Sequence, residues 1–282
     1  MQTLQHIAEL RDALRQPRRD GKRIALVPTM GNLHAGHLEL VRRARSDADI
    51  VVATIFVNPL QFGANEDLDS YPRTLAQDQA GLEAGGCDFL FAPGEAEMYP
   101  NGRENQTIVE VPGLSNLHCG ATRPGHFRGV TTVVSKLFNI VQPDAAFFGI
   151  KDYQQLMVIR RMVVDLCMPI EIHGVPIVRD ARGLALSSRN GYLSEPELAI
   201  APTLNRVLRE TAQAIEAGES DFEQLAETAQ QQLETAGFRR DFVRIVRRSD
   251  LAPATNADRE LVILSAAYLG GARLIDNIEV SR

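Results

Sequence analysis

Short runs that are apolar at almost every position recur along this chain, each followed by a stretch with helical spacing. Ile24-Ala25-Leu26-Val27 is the clearest, stopped by Pro28. Further runs occupy residues 50–57, 88–91, 145–148 and 171–178, and helical patterns fill residues 36–48, 74–84, 127–141 and 153–167. Successive side chains of a strand point to opposite faces, so a strand apolar at every position has no face left for water. Strands of this kind alternating with helices predict a parallel sheet covered on both sides. The fold class expected is therefore α/β, a Rossmann-like doubly wound parallel sheet, whose ligands sit at the carboxyl ends of the strands. Ahead of the first strand, Leu4, Ile7, Leu10 and Leu14 share one helical face and predict a packing helix over residues 4–14.

The pattern changes beyond about Arg189. Residues 195–216 and 221–236 read as two polar amphipathic helices, followed by strand-like runs at 242–247, 261–269 and 272–280. Gly270-Gly271 between the last two is a hairpin signal. The expected organisation is a larger domain over residues 1–187 and a smaller C-terminal α+β domain over residues 188–282. A chain of 282 residues is long enough for two such cores.

Charge and cysteine content narrow the function classes. A formal net charge of −6 argues against a broad phosphate-backbone footprint, hence against nucleic acid. It leaves open a small anion held at a helix N-terminus. No window approaches the roughly 18 uninterrupted apolar residues of a membrane span. Cys87, Cys119 and Cys167 lie far apart without metal-type spacing, and three thiols cannot all pair within one chain. That usage, with an N-terminus interrupted by Gln5, His6, Glu9, Arg11 and Asp12, suits a cytoplasmic protein.

The strongest local signal is Pro28-Thr29-Met30-Gly31-Asn32-Leu33-His34-Ala35-Gly36-His37. A strand ends, a glycine turn follows, and two histidines three apart open a helix. That spacing puts both imidazoles on one face at the positive end of the helix dipole. Gly36 between them lets a bulky ligand approach the backbone. The arrangement suits a triphosphate, with hydrogen bonds offered as charge grows on the α-phosphate. The plain alternative is a helix start with two incidental surface histidines, and the Thr-Met-Gly turn after a strand weighs against it. Zinc is a weaker reading still, because no third His or Cys ligand is near.

Three further segments fall at strand ends or between elements. Phe56-Val57-Asn58-Pro59-Leu60-Gln61-Phe62 brings in two carboxamides, Asn58 and Gln61, which orient a hydroxyl or carboxylate without adding charge. Turn chemistry alone explains Asn58 but not Gln61. Gly149-Ile150-Lys151-Asp152-Tyr153-Gln154-Gln155 offers Lys151 to phosphate, with Asp152 either a helix cap or a purine or ribose contact. Leu186-Ser187-Ser188-Arg189 offers two hydroxyls and a guanidinium at the expected domain junction.

His34-Ala35-Gly36-His37 resembles the HxGH signature of the nucleotidylyltransferase superfamily, which includes the class I aminoacyl-tRNA synthetases. The ordered set PTMG-LH-GH, FVNP-QF, RPGHF-GV, G-KDYQQ and SSRN-YL resembles the pantothenate synthetase family over about residues 25–193. Ile150 departs from the pattern, standing where that family more often has a polar residue.

The resemblance implies an ATP-dependent ligase joining pantoate to β-alanine through an acyl-adenylate. It implies ATP binding by Met30, Gly31, Asn32, Leu33, His34, Ala35, Gly36 and His37. Gly149, Ile150, Lys151, Asp152, Val178, Leu186, Ser187, Ser188 and Arg189 would complete the nucleotide contacts. His37 would be a proton donor beside His34, with Lys151 and Arg189 on the leaving diphosphate. Gln61 would meet pantoate and β-alanine, Gln155 would meet pantoate, and Asn58 would line the same pocket. Mg²⁺ would accompany the nucleotide through phosphate oxygens and water, with Asp78 an outer contact. Arg123 and His126 would lie on a loop near the site or act structurally. A homodimer is implied as the assembly. Two rivals remain: another adenylate-forming enzyme such as a truncated tRNA synthetase, and a non-enzymatic nucleotide-binding module. The acidic charge opposes the first, and the presence of both histidines, Lys151 and Arg189 opposes the second.

Overall fold

The computed structural model describes residues 1–64 and 66–282. In chain order the elements are β1 (Gln2–Leu4), α1 (Ile7–Arg19), β2 (Ile24–Thr29), α2 (Ala35–Asp47), β3 (Ile50–Ile55), α3 (Leu75–Ala84), β4 (Phe89–Phe91), α4 (Glu95–Met98) and α5 (His118–Thr122). They continue with α6 (His126–Val141), β5 (Ala145–Gly149), α7 (Tyr153–Asp165), β6 (Glu171–Val175), α8 (Glu195–Ile200), α9 (Thr203–Glu216), α10 (Phe222–Thr235), β7 (Arg239–Arg247), β8 (Glu260–Leu269) and β9 (Ala272–Ser281). Short 3-10 turns cover Pro59–Gln61, Ile150–Asp152 and Ser188–Tyr192. The chain forms two compact units. One comprises Met1–Asn116, Arg123–Ile150 and Gln155–Pro176; the other comprises Leu117–Thr122, Lys151–Gln154 and Ile177–Arg282.

The first unit holds a six-stranded sheet in the order β1-β4-β3-β2-β5-β6. Every pairing in it is parallel. Ile24, Ala25, Leu26 and Val27 are all at most 1% exposed, which on a pleated strand means that both faces are covered. Ala25 and Val27 join Val51, Ala53, Ala145 and Phe147 in one cluster with Leu40, Val41 and Ala44 of α2 and Leu82 of α3. From β2 the chain proceeds outward to β3 and β4 on one side, and later to β5 and β6 on the other. That reversal makes the carboxyl ends of β2 and β5 the switch-point crevice of a doubly wound sheet. The Rossmann-like reading therefore holds.

The second unit carries an antiparallel sheet in the order β7-β8-β9. Leu269 pairs with Ala272 across Gly270-Gly271, and Gly270 adopts φ +54°. A two-residue hairpin loop needs that left-handed backbone, which glycine adopts without strain. One sheet face (Val243, Ile245, Leu261, Ile263, Leu274) packs with Leu204, Val207, Leu208 and Ile215 of α9 and Leu233 of α10. This is the expected α+β arrangement.

Three element readings change. The segment beginning at Leu4 is not helical from its start: Gln2–Leu4 pairs in parallel with Phe89–Phe91, and the helix begins at Ile7. A three-residue strand leaves almost no local signal. The helix expected over residues 195–216 is two, because Pro202 lacks the N–H that would carry the ladder onward. The strand expected to reach residue 178 ends at Val175, before Pro176.

Candidate functional site

The loop between β2 and α2 is built by its own backbone demands. Gly31 has φ +84°, and a Cβ there would lie 3.1 Å from Ile55 Cγ2 and 3.2 Å from Asp78 Oδ2. The Asn32 and Leu33 amides donate to Asp78 Oδ2 (2.9 Å) and Oδ1 (2.8 Å), and Thr74 Oγ1 also donates to Oδ1 at 3.1 Å. Asp78 is 2% exposed, so its carboxylate anchors this loop. That differs from the expected outer contact to Mg²⁺, since the group is withdrawn from solvent and both oxygens are occupied.

His34 and His37 cap α2 reciprocally. His34, the N-cap residue with φ −128°, accepts the Gly36 amide on Nδ1 at 3.1 Å. His37 accepts the His34 amide on its own Nδ1 at 3.3 Å. A neutral imidazole that accepts at Nδ1 carries its proton at Nε2, so both rings are donors at the far nitrogen. Their centroids are 4.1 Å apart with an interplanar angle of 39°. The structure thus gives two juxtaposed, oriented N–H donors at the positive end of a helix dipole. Met30, Ala35 and Gly36 border the pair in sequence.

Across β3, Asn58 caps the turn Pro59–Gln61 and Gln61 follows on it. Asn58 is 1% exposed and its carboxamide is fully engaged. Oδ1 accepts from the Leu60 amide (3.3 Å) and the Tyr99 hydroxyl (2.6 Å), while Nδ2 donates to the Gly129 carbonyl (3.1 Å) and Gln61 Oε1 (3.1 Å). Gln61 Nε2 lies 3.1 Å from Met30 Sδ, which joins this turn to the loop after β2. The Gln61 carbonyl accepts from His126 Nδ1 at 2.8 Å and Arg123 Nη2 at 3.5 Å. Arg123 in turn forms a bidentate pair with Glu66, 2.6 Å at both oxygens. Burial would raise the Glu66 carboxyl, but the Arg123 guanidinium outweighs it and holds the group below the usual range. Arg123 and His126 therefore clamp the main chain of Gln61.

Gly149 ends β5 opposite Val175, and Ile150 opens the next turn. A Cβ on Gly174 would come within 3.1 Å of Ile150 Cγ1, so glycine at 174 makes the room that this apolar side chain occupies. Gln155 is half-buried near the start of α7.

In the second unit, Val178 and Leu186 are brought together because the Leu186 amide donates to the Val178 carbonyl at 3.0 Å. Arg179 pairs with Ala185 in the same hairpin. Ser187 caps the following turn, accepting the Arg189 amide on Oγ at 3.3 Å. Lys151 Nζ lies 3.7 Å from Asp152 Oδ2, and the Lys151 carbonyl accepts from Asn277 Nδ2 at 3.0 Å. Lys151, Ser187, Asn190 and Asp276 line one small cavity. Ser188 and Arg189 lie on the capped turn beside it.

Of the residues that matter to this arrangement, Tyr99, Arg179 and Asp276 were not singled out in the sequence, and Gly129 was noted only as part of the RPGHF-GV motif. Asp276 alone left a trace, as a carboxylate in the alternating position between the apolar Leu274 and Ile278.

A family model described as pantoate-beta-alanine ligase matches residues 2–279. A pantothenate synthetase of Pseudomonas fluorescens (strain Pf-5) is 62% identical over 280 residues, spanning 99% of this chain and 98% of that relative. One from Azotobacter vinelandii is 60% identical over 99% of both. Among solved structures, pantothenate synthetase from Thermus thermophilus superposes with TM-score 0.94 at 48% identity over 100% of both chains. Pantoate-beta-alanine ligase from Francisella tularensis, complexed with beta-gamma ATP and beta-alanine, gives TM-score 0.83 at 34% identity over 99% of this chain and 97% of that one.

Proposed function

The chain belongs to the pantoate-beta-alanine ligase family, and from that premise we propose how its residues carry the reaction. The protein is a ligase that condenses pantoate with β-alanine at the expense of ATP. A carboxylate is a poor acyl donor because its leaving group would be oxide. Its oxygen attacks the α-phosphorus of ATP, a new P–O bond forms, the bond to the β-phosphate breaks, and diphosphate departs. The amine of β-alanine then attacks the acyl carbon, AMP leaves with the bonding pair, and the nitrogen sheds a proton.

The observation that carries this reading is the pair of imidazoles tied at Nδ1 to the start of α2. Each ring is held in place by its Nδ1 bond, and donors that need little reorganisation are those that lower a barrier most. His34 and His37 take the charge that builds on the α-phosphate. Lys151 and Arg189 take that of the diphosphate, and Met30, Gly31, Asn32, Leu33, Ala35, Gly36, Gly149, Ile150, Asp152, Val178, Leu186, Ser187 and Ser188 line the nucleotide. Gln61 and Gln155 orient pantoate, and Gln61 also meets β-alanine. Catalysis is positioning and electrostatics, with no covalent protein intermediate.

Mg²⁺ enters on the triphosphate in this reading. Among the described residues no group of three His, Cys, Asp or Glu side chains is placed to hold a metal, and Asp78 anchors a loop. Phosphate oxygens and water are what this ion prefers, and it would neutralise charge on the leaving diphosphate. A cytoplasmic location accords with three free cysteines. Among the described residues no helix is long and apolar enough to cross a membrane. A homodimer is the assembly that the family implies, and sedimentation of the purified protein tests it.

The reaction scheme is tested by isotope exchange. Labelled diphosphate should enter ATP when pantoate and Mg²⁺ are supplied without β-alanine. Exchange that strictly requires β-alanine would overturn the separate adenylation step.

A further inference from the structure

Asn58 has two acceptor positions and two N–H donors, and all four are filled by protein. The orientation of its carboxamide is therefore settled. Oδ1 faces two donors, the Leu60 amide and the Tyr99 hydroxyl; Nδ2 faces two acceptors, the Gly129 carbonyl and Gln61 Oε1. Turning this amide over would set N–H against N–H at Leu60 and oxygen against oxygen at Gly129. That is the penalty of leaving buried polar groups unmet. The polarity then passes on. Because Asn58 presents an N–H to Gln61, the Gln61 oxygen must turn inward and its Nε2 outward, toward Met30.

We propose that Tyr99 is a positioning residue for the acyl-substrate side of the site, acting through Asn58 to make Gln61 a donor-only contact. The proposal rests on the reading that Gln61 meets pantoate. A Gln61 that offers N–H groups suits the oxygens of a carboxylate and disfavours a ligand that brings its own N–H to that position. Specificity for an acid thus traces to a phenol two hydrogen bonds away from Gln61.

Three observations support Tyr99 in this part rather than as filler. It is 3% exposed, and its hydroxyl makes the shortest of the four bonds to Asn58, 2.6 Å. Burial first, and the Glu95 carboxylate second, push the phenol well above its ordinary range, so it keeps its proton and remains a donor at working pH. The third is the fit of the opposite side. A Cβ on Gly129 would fall 2.2 Å from the Leu60 carbonyl oxygen, so only glycine lets α6 come close enough for its carbonyl to reach Asn58 Nδ2.

Tyr99→Phe removes the hydroxyl and keeps the ring against Phe56, whose centroid lies 5.9 Å away. One lost hydrogen bond in a buried relay should raise the pantoate KM about 3- to 10-fold, with the ATP KM within about twofold of the parent. In a Gln61→Ala background the same change should have no further effect on pantoate KM, because the group it positions is gone. Gln61→Glu, which has the same shape but only acceptors to offer, should impair pantoate use at least as much as Gln61→Ala. An equal loss from Tyr99→Phe with and without Gln61 would make Tyr99 structural and overturn the relay. So would Tyr99→Phe leaving pantoate KM unchanged beside an impaired Gln61→Ala. Retention of pantoate KM by Gln61→Glu would overturn the donor orientation. Unchanged pantoate KM in Gln61→Ala would overturn the reading of Gln61 itself, and the relay with it.

Discussion

Arg179→Ala should be among the most destabilising single changes in the second unit, and the structure says why. Asp276 accepts from Arg179 Nη1 at 2.6 Å and Nη2 at 2.8 Å, with its side chain only 2% exposed against 23% for the arginine. Asn205, with its amide turned so that Oδ1 faces the guanidinium, accepts from both nitrogens at 3.1 Å. Removing one partner of a buried pair costs about 3–5 kcal/mol, chiefly because the remaining charge has neither water nor a counter-ion. Asp276 keeps one main-chain donor, the Asn277 amide at 2.8 Å, which places the loss near the lower end, about 3 kcal/mol. For a chain of this size that is a fall in Tm of about 6–12 °C. Arg179 Nη1 also donates to the Gly183 carbonyl at 3.1 Å, so the hairpin carrying Val178 and Leu186 loosens and the ATP KM should rise. Calorimetry and ATP titration on the purified variant are the assay. The double variant Arg179→Met/Asp276→Leu, which removes both charges, should melt above Arg179→Ala. A single variant melting within about 2 °C of the parent, or a double variant no better than the single, would refute the argument from the stranded carboxylate.

Two further outcomes follow from the geometry. His37→Asn keeps an acceptor near the Nδ1 position for the His34 amide and loses the outer donor, so kcat should fall roughly a hundredfold, about 3 kcal/mol, with ATP binding and Tm nearly unchanged; a raised ATP Kd at normal kcat would make it a ground-state contact. His118 is lowered, chiefly by burial, and its Nε2 donates to the Leu251 carbonyl at 2.9 Å. In the window just below the ordinary histidine value the unfolded chain therefore binds more protons than the folded one, and stability falls as pH falls through about 6.5. His6 is raised, chiefly by its bond to Glu97, and acts in the opposite sense. Comparison with His118→Gln isolates the His118 part: the variant should lose less Tm between pH 7.5 and 5.5, and parallel curves would remove His118 as the source.

What this sequence determined by itself was whatever rests on local periodicity and local backbone chemistry. Ile24-Ala25-Leu26-Val27 required a strand with two covered faces whatever its neighbours were, and its burial follows. The histidines at 34 and 37 had to share a face at a helix start, and Gly270-Gly271 had to turn a hairpin. Those features depend on residues a few positions apart. The tertiary structure alone decided what a polar side chain meets. Asp78 could have faced a metal or a loop, and it faces amides 45 and 46 positions away. Asn58 could have faced substrate, but Tyr99 and Gly129, 41 and 71 positions on, occupy it. Asp276 needed an arginine 97 residues distant to be tolerable in a strand core. The free energy of a buried polar group depends on which partner arrives within hydrogen-bond distance, and that is set by how the elements pack, not by anything written beside the residue in the chain.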